Sequence, residues 1–171
     1  MAGELDVEVV VHGPGALSAW ARTAAVGGPA AVSGPGRGHD VDQEAAAHLL
    51  AGDETALPAM AQLLEALPAG VPVRVVVEIA GPGGRMALPP HPRAVVDWVV
   101  TGEGEAPGAA LVQAIEADPP AAGTRVWAAG EAAAMQRIRR FLFEVRGLPR
   151  GHAAVRGYWK HGRGADAAEE G

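Results

Sequence analysis

The stretch from Val71 to Ala80 is almost entirely apolar, and it stops at a turn sequence, Gly81-Pro82-Gly83-Gly84. Its apolar character is continuous rather than alternating, which is typical of a strand that is buried on both faces. Such strands occur in parallel sheets, because helices then cover both sides of the sheet. This run therefore favours an α/β fold.

Comparable runs alternate with segments of helical spacing. In the first such segment Leu57, Met60, Leu64 and Leu67 recur every three or four residues. Strands are predicted at 48–51, 71–80, 93–101, 124–129 and 153–159, and helices at 57–67, 107–117 and 131–146. Strands that alternate with helices through right-handed crossovers predict a doubly wound parallel sheet of about five strands. It would span residues 46–160.

The first forty residues do not fit this pattern. Strands are predicted at 5–12 and 30–33, with a short helix at 16–25 between them. Two strands and one helix cannot cover both of their own faces, so 1–40 is predicted to be a separate unit from 41–163. Residues 164–171 are acidic and have no large apolar side chain, which predicts a disordered tail.

Composition excludes several classes of protein. The chain has no cysteine, which excludes disulfides, zinc-thiolate sites and a thiol nucleophile. Its single lysine, Lys160, is not in a GK[ST] motif, so a P-loop is excluded. A net charge of −6 argues against nucleic-acid binding. With no long apolar run and no signal peptide, we expect a cytoplasmic protein without a membrane span.

The charges are unevenly distributed. Residues 125–163 hold nine basic side chains and two acidic ones, whereas residues 1–124 hold five basic and fifteen acidic ones. We expect an anion to bind near the basic segment.

Three junctions between a predicted strand and a predicted helix are candidate binding sites. They are 12–21, 52–58 and 130–134. Helix N-termini at strand ends present free N–H groups that suit an anion, and glycine lets a ligand approach the backbone. The alternative is that Gly52 and Gly130 form tight turns while Ser18 and Thr55 cap helices. None of the three junctions matches GxGxxG.

A second candidate is the run Tyr158-Trp159-Lys160-His161-Gly162-Arg163, where aromatic rings and cations lie together. The rings suit stacking on a flat ligand and the cations suit its negative charge. The alternative is an aromatic pair that packs against the domain. The histidines have no metal-binding spacing and neither serine lies in GxSxG, so a histidine metal site and a nucleophile elbow are unsupported.

Taken in order, HGPGALSAWA, VSGPG, LLAGDETALPAM, RVWAAGEAAAMQRIRRFL and GYWKHGR resemble the siderophore-interacting protein family. The resemblance covers nearly all of residues 5–163. It implies a ferredoxin–NADP reductase-like flavoprotein, with an FAD-binding β-barrel before an α/β domain that binds NAD(P)H. Such proteins reduce ferric siderophores and release iron as Fe(II). Residues 1–40 match the closing part of the barrel, and the family's Arg-x-Tyr-Thr/Ser segment is absent from the chain.

The resemblance also implies site residues. The flavin pyrophosphate would lie at His12, Gly15, Ala16, Leu17 and Ser18. NAD(P)H would lie by Gly52, Asp53, Glu54 and Thr55, with Gly130 and Glu131 opposite. The ferric siderophore, or a cofactor phosphate, would meet Tyr158, Trp159, Lys160 and Arg163. No metal ligand is implied.

Two functions therefore stay open. One is a flavin-dependent NAD(P)H:ferric-siderophore reductase. The other is a non-catalytic module that binds NAD(P)H or the siderophore and needs a further N-terminal region or a partner chain. A half-barrel with unpaired strand edges would also favour a homodimer.

Overall fold

The structure is a computed structural model that describes residues 7, 9, 11, 16–31 and 41–162. The chain divides into two units, one made of residues 1–38 and 162–171 and the other of residues 39–161. Within the described residues, no helix combines the length and the apolar character needed to cross a bilayer.

In the first unit the described regular element is helix α1, Ala16–Thr23. It confirms the helix predicted at 16–25, although it ends two residues earlier. Ser18 is buried, and the Thr23 hydroxyl donates to the Ala19 carbonyl over 3.0 Å.

The two strands predicted in this unit are not found among its described residues. Val7, Val9 and Val11 are not in a strand, and neither are Ala30 and Ala31. β-branched residues favour a strand only where a neighbouring strand pairs with them. No strand pairing includes these described positions, so composition alone predicted the strands wrongly there. The other positions of both predictions, and the predicted tail at 164–171, lie outside the described residues.

The second unit is a five-stranded, all-parallel sheet with helices on both faces, which confirms the predicted fold class. Its elements in chain order are β1 (Ala47–Asp53), α2 (Leu57–Ala66), β2 (Val73–Ile79), β3 (Ala94–Val100), α3 (Ala109–Ala117), β4 (Thr124–Glu131), α4 (Ala132–Arg140) and β5 (Ala153–Trp159). The order across the sheet is β3-β2-β1-β4-β5.

Each face of the sheet packs on its own helices. On one face Leu57, Met60 and Leu64 of α2 lie over Val75 and Val77 of β2. The other face is covered by α3 and α4, whose buried side chains include Leu111, Ile115, Met135 and Ile138, and by Leu142 of the helical turn after α4. Val76 belongs to that second core, so β2 is buried on both sides, as its apolar run predicted.

Two strands are longer than predicted. Gly52 and Asp53 belong to β1 rather than to the turn after it, and Gly130 and Glu131 belong to β4 rather than to the junction and the helix predicted at 131–146. Pairing of Gly52 with Ala129 keeps both strands extended over these positions. Because Glu131 is in the strand, α4 begins at Ala132, and it leads into a π-helical turn at Phe141–Val145.

The close approach of β1 to its neighbours explains why position 52 is glycine. A Cβ there would lie 2.4 Å from the Ala129 carbonyl oxygen and 2.6 Å from the Ala56 Cβ. Backbone atoms cannot move aside cheaply, so any side chain would separate β1 from β4 and from the turn before α2.

We expect Gly52→Ala to lower the free energy of unfolding by about 2–3 kcal/mol, because it overpacks the sheet. Gly70→Ala is the matched control, since nothing lies within 4 Å of the Cβ that it adds. It should change stability by less than about 0.5 kcal/mol. Urea unfolding of the wild type and both variants measures this, and equal stability of the two variants would contradict the packing argument.

Candidate functional site

The sheet has one switch point. From β1 the chain proceeds outward to β2 and β3, and then returns to place β4 on the other side of β1. In open α/β sheets, ligands bind in the crevice at the carboxyl ends of the strands beside such a point. Here those ends are Asp53 of β1 and Glu131 of β4.

Asp53 connects three strands at this point. Its Oδ2 accepts a hydrogen bond from the Glu131 N–H over 2.9 Å and another from the Trp159 indole Nε1–H over 2.8 Å. Its Oδ1 accepts from the Thr55 N–H over 3.0 Å, which caps the turn that leads into α2. The ends of β1, β4 and β5 are therefore held together by one carboxylate.

Gly130 makes room for this carboxylate. Its φ is +155°, and a Cβ would lie 2.5 Å from Asp53 Oδ2. The space in front of Gly130 and Gly52 is thus filled by the chain's own atoms. The tight-turn alternative does not account for these glycines, because they lie within strands, and close packing at the switch point requires them. Their assignment to the cofactor site stays a prediction.

Glu131 is buried and caps helix α4. Its Oε2 accepts from the N–H groups of Ala133 and Ala134 over 2.6 and 2.9 Å, and its Oε1 accepts from the His161 N–H over 3.2 Å. Burial raises the pKa of this carboxyl, but the three main-chain hydrogen bonds and the nearby His161 outweigh it, so that the pKa is lowered.

Glu78, at the carboxyl end of β2, makes the same kind of contact with helix α3. It is 3% exposed, and it accepts hydrogen bonds from the Gly108 N–H, the Leu111 N–H and the Thr101 hydroxyl over 2.6, 2.7 and 2.9 Å. Its position near the end of a strand allows two expectations from the sequence, a hydrogen bond from a ribose hydroxyl or exposure to solvent. Its burial excludes exposure to solvent, and the ribose contact stays a prediction. Nothing in the sequence indicates its partners, which lie 23 to 33 residues away.

These contacts correct the prediction that helix N-termini here present free N–H groups. At α3 and α4 those groups donate to Glu78 and Glu131, and Asp53 occupies the turn before α2. A carboxylate at a helix N-terminus also offsets the positive end of the helix dipole. A phosphate therefore does not find an open helix terminus at α3 or α4.

A cleft of about 470 Å³ lies at this edge of the sheet. Its walls are the ends of β1 and β2, the loop after β3, and Trp159 of β5. Four predicted site residues line it, namely Asp53, Glu54, Thr55 and Trp159. Sequence reasoning missed the rest of the wall, including Ile79, Ala80, Thr101, Glu103 and Pro107.

The two aromatic residues at the end of β5, Tyr158 and Trp159, have different surroundings. Tyr158 lies at a bulge opposite β4, and its ring meets the edge of buried Trp127 with centroids 6.3 Å apart. Trp159 lines the cleft. Tyr158 thus fits the expectation of an aromatic ring that packs against the domain, and Trp159 fits the expectation of a ring that could stack on a ligand.

The remaining predicted residues lie elsewhere. Lys160 is exposed just beyond β5. Ala16, Leu17 and Ser18 form the first turn of α1 in the other unit. His12, Gly15 and Arg163 lie outside the described residues.

Several cations of the basic segment have partners within the domain. Arg125 forms a salt bridge with Asp42, Arg139 donates to the Val155 carbonyl, and Arg150 lies over the Phe143 ring. Arg125–Asp42 lies at the amino edge of the sheet, opposite the cleft. Part of the positive charge of residues 125–163 is therefore engaged by partners within the domain, and less of it is available to a ligand than the sequence indicates.

The sheet order and the cleft define a doubly wound α/β protein with a cleft at the carboxyl edge of its sheet. The chain belongs to the siderophore-interacting protein family, since the model of that family matches residues 45–162. This confirms the resemblance found in the sequence.

Individual relatives agree with the family assignment. The chain is 36% identical to an uncharacterized protein of Mycobacterium tuberculosis, covering 95% of this chain and 62% of the relative. It is 29% identical to the ferric vibriobactin reductase of Vibrio cholerae, covering 99% of this chain and 64% of that enzyme. The crystal structure of a siderophore utilization protein from T. fusca is similar with a TM-score of 0.70 and 36% identity, covering 91% of this chain and 60% of that one. The chain thus spans less than two thirds of these relatives.

The lowered pKa of Glu131 predicts an acid-dependent loss of stability. A carboxyl whose pKa is lower in the folded chain than its ordinary value of 4.5 stabilises the fold above that pH, and the contribution is lost as pH falls through the folded pKa. Glu131→Gln should therefore cost about 1–2 kcal/mol at pH 7, as loss of a charged cap does. The cost should shrink steadily below pH 4.5.

Urea unfolding from pH 7 to pH 3 measures the difference between wild type and variant. Glu116→Gln, on the exposed surface of α3, is the control and should have no effect at either pH. A cost for Glu131→Gln that stays constant over this range would contradict the charged cap.

Proposed function

We propose that this chain takes part in the reduction of ferric siderophores by NAD(P)H through FAD. The observation that carries the proposal is the cleft at the switch point of a chain that belongs to this family. The name of the Vibrio cholerae relative, a ferric vibriobactin reductase, supports the same reaction. One NAD(P)H supplies two electrons, which reduce two ferric ions to Fe(II).

FAD supplies the conversion from hydride transfer to the single-electron steps that ferric iron requires. The described residues that would hold it are Ala16, Leu17 and Ser18. These residues open helix α1, and the N-terminus of a helix suits a pyrophosphate. His12 and Gly15 would complete this site.

The cleft would hold NAD(P)H. Thr55 and Thr101 bring hydroxyl groups to its wall, and Glu54 and Glu103 bring carboxylates that accept hydrogen bonds from ribose hydroxyls. These groups suit the sugars and the carboxamide of a dinucleotide.

Trp159 would fix the position of the nicotinamide ring. Its indole is held by the hydrogen bond to Asp53, so a flat wall is present before the ligand arrives. A side chain that is already oriented costs no further conformational entropy on binding, which is how a protein holds reacting atoms in line.

The siderophore would bind beyond β5. Lys160 is exposed there, next to Trp159 and Tyr158, and Arg163 follows in the sequence. Cations at this end suit an anionic ferric siderophore, whereas the carboxylates of the cleft do not. We therefore place the two substrates at the two ends of the carboxyl edge, in a cytoplasmic reductase.

Mixing the purified chain with FAD, NADH or NADPH, and a ferric catecholate siderophore in the presence of an Fe(II) chelator tests the proposal. We expect chelated Fe(II) to form only when all three components are present. Binding of a nicotinamide nucleotide without iron release would instead support the binding module, which needs a homodimer partner, another chain or a longer N-terminal region. Absence of both binding and release would contradict both functions.

Removing the cations beyond β5 should weaken siderophore binding selectively. We expect Lys160→Ala with Arg163→Ala to raise the Kd of the ferric siderophore about tenfold, because two charge-assisted contacts are lost. The Kd of NADH should not change. Arg93→Ala is the control, since Arg93 is exposed at the amino edge of the sheet. Isothermal titration of both ligands measures this, and an unchanged siderophore Kd would reject the assignment.

A further inference from the structure

The cleft is lined by acidic side chains. Asp53, Glu54, Glu78 and Glu103 form part of its wall, and none of its described lining residues is Lys, Arg or His. Two of these carboxylates are committed to the fold, since Asp53 holds the three strand ends and Glu78 caps α3. Glu54 and Glu103 determine what a ligand meets.

Glu54 lies in the turn after β1, and its side chain reaches the end of β2. Its Oε1 accepts a hydrogen bond from the Ala80 N–H over 3.0 Å, and a Cβ on Gly84 would lie 2.0 Å from the same oxygen. The carboxylate is thus enclosed by the main chain that follows β2. This is the place where an acidic side chain in doubly wound folds accepts a hydrogen bond from a ribose 2′-hydroxyl.

Glu103 lines the cleft from the loop between β3 and α3. It is exposed, and it has no hydrogen bond or ion pair within the part of the chain that the structure describes. Its neighbour Glu105 holds the loop by accepting from the Gly102 N–H over 3.1 Å. From Thr101 to Gly108 the loop has two acidic residues and no basic one.

Two arginines, Arg85 and Arg93, lie in the segment between β2 and β3, and neither lines the cleft; Arg85 is the nearer to the end of β2. Its guanidinium lies over the Trp98 ring, 5.9 Å from the centroid. A 2′-phosphate is usually recognised by an arginine beside the ribose. In the cleft it would instead meet carboxylates, which repel it, and no Lys, Arg or His among the described lining residues.

We infer that the cleft selects NADH over NADPH and that Glu103 is a specificity-determining residue. This inference rests on the proposed function. The difference between the two nucleotides is a phosphate that carries about two negative charges at pH 7. Repulsion from Glu54 and Glu103 penalises that phosphate, whereas the free 2′-hydroxyl of NADH donates a hydrogen bond to one of them.

Isothermal titration of the chain with NADH and NADPH, and with adenosine 5′-monophosphate and adenosine 2′,5′-bisphosphate, measures the selection without iron reduction. We expect NADH to bind at least about tenfold more tightly than NADPH at low salt. The two adenosine probes should differ in the same direction, which locates the effect at the 2′ position. The ratio should fall toward one in about 0.5 M salt, because exposed charges are then screened.

Reversing the charge at position 103 tests whether Glu103 determines the preference for NADH over NADPH. Glu103→Arg should lower the NADH-to-NADPH affinity ratio about tenfold, by removing a repulsion and adding a phosphate donor. Glu116→Arg makes the same change of net charge near the end of α3, which lies at the opposite edge of the sheet because α3 runs antiparallel to the strands. It should leave the ratio unchanged, and both variants should unfold at the wild-type temperature.

The outcomes separate the inference from the proposed function. Equal or tighter binding of NADPH overturns the selection while the reductase stands, as would iron release that prefers NADPH. An equal effect of Glu116→Arg overturns the role of Glu103. If neither nucleotide binds, the nucleotide site of the proposed function fails, and the selection fails with it.

Discussion

The carboxyl edge of the sheet depends on the carboxylate of Asp53. It accepts hydrogen bonds from the Glu131 main chain, the Trp159 indole and the Thr55 main chain, so it joins the ends of β1, β4 and β5. Hydrogen bonds to a charged acceptor are about twice as strong as neutral ones. They require close approach, which is why position 130 has no side chain. Hydrogen bonds within the chain therefore fix the arrangement of the strand ends at the switch point. The bond from its indole to Asp53 also places Trp159 in the cleft wall.

Carboxylates at strand ends also accept hydrogen bonds from the first N–H groups of the neighbouring helices. Glu78 and Glu131 each come from a strand end and cap α3 and α4. These carboxylates satisfy main-chain donors that would otherwise be unpaired, and they make the edge acidic. An edge of this kind recognises hydroxyl and amide groups more readily than phosphates. The acidic part of this edge, over β1 and β2, thus differs in charge from the exposed Lys160 beyond β5, which is the difference that the proposed placement of the two substrates uses.

The candidate site was predictable only in part. Asp53, Glu54, Thr55 and Trp159 were found because a strand end followed by a glycine or an aromatic-basic run is a local pattern. The helix-capping contacts of Glu78 and Glu131 were not predicted, and Glu131 was expected to begin the helix at 131–146, whereas it ends β4. Both contact main-chain groups of helices, and the pairing of a side chain with a distant N–H leaves no periodic signal. In the first unit, the β-branched residues Val7, Val9 and Val11 predicted a strand that is absent at those positions.

The sequence by itself determined the layered fold of residues 46–160. Continuous apolar runs must be covered on both faces, and helical spacing supplies the covering elements, so the five parallel strands and their helices follow from local pattern. The tertiary structure decided how the strand ends meet. Only folding brings Asp53, Glu131 and Trp159 within hydrogen-bond distance, because these contacts join residues up to 106 positions apart. The acidic character of the cleft comes from this convergence, since the sequence placed the chain's charge asymmetry elsewhere, in its basic C-terminal third.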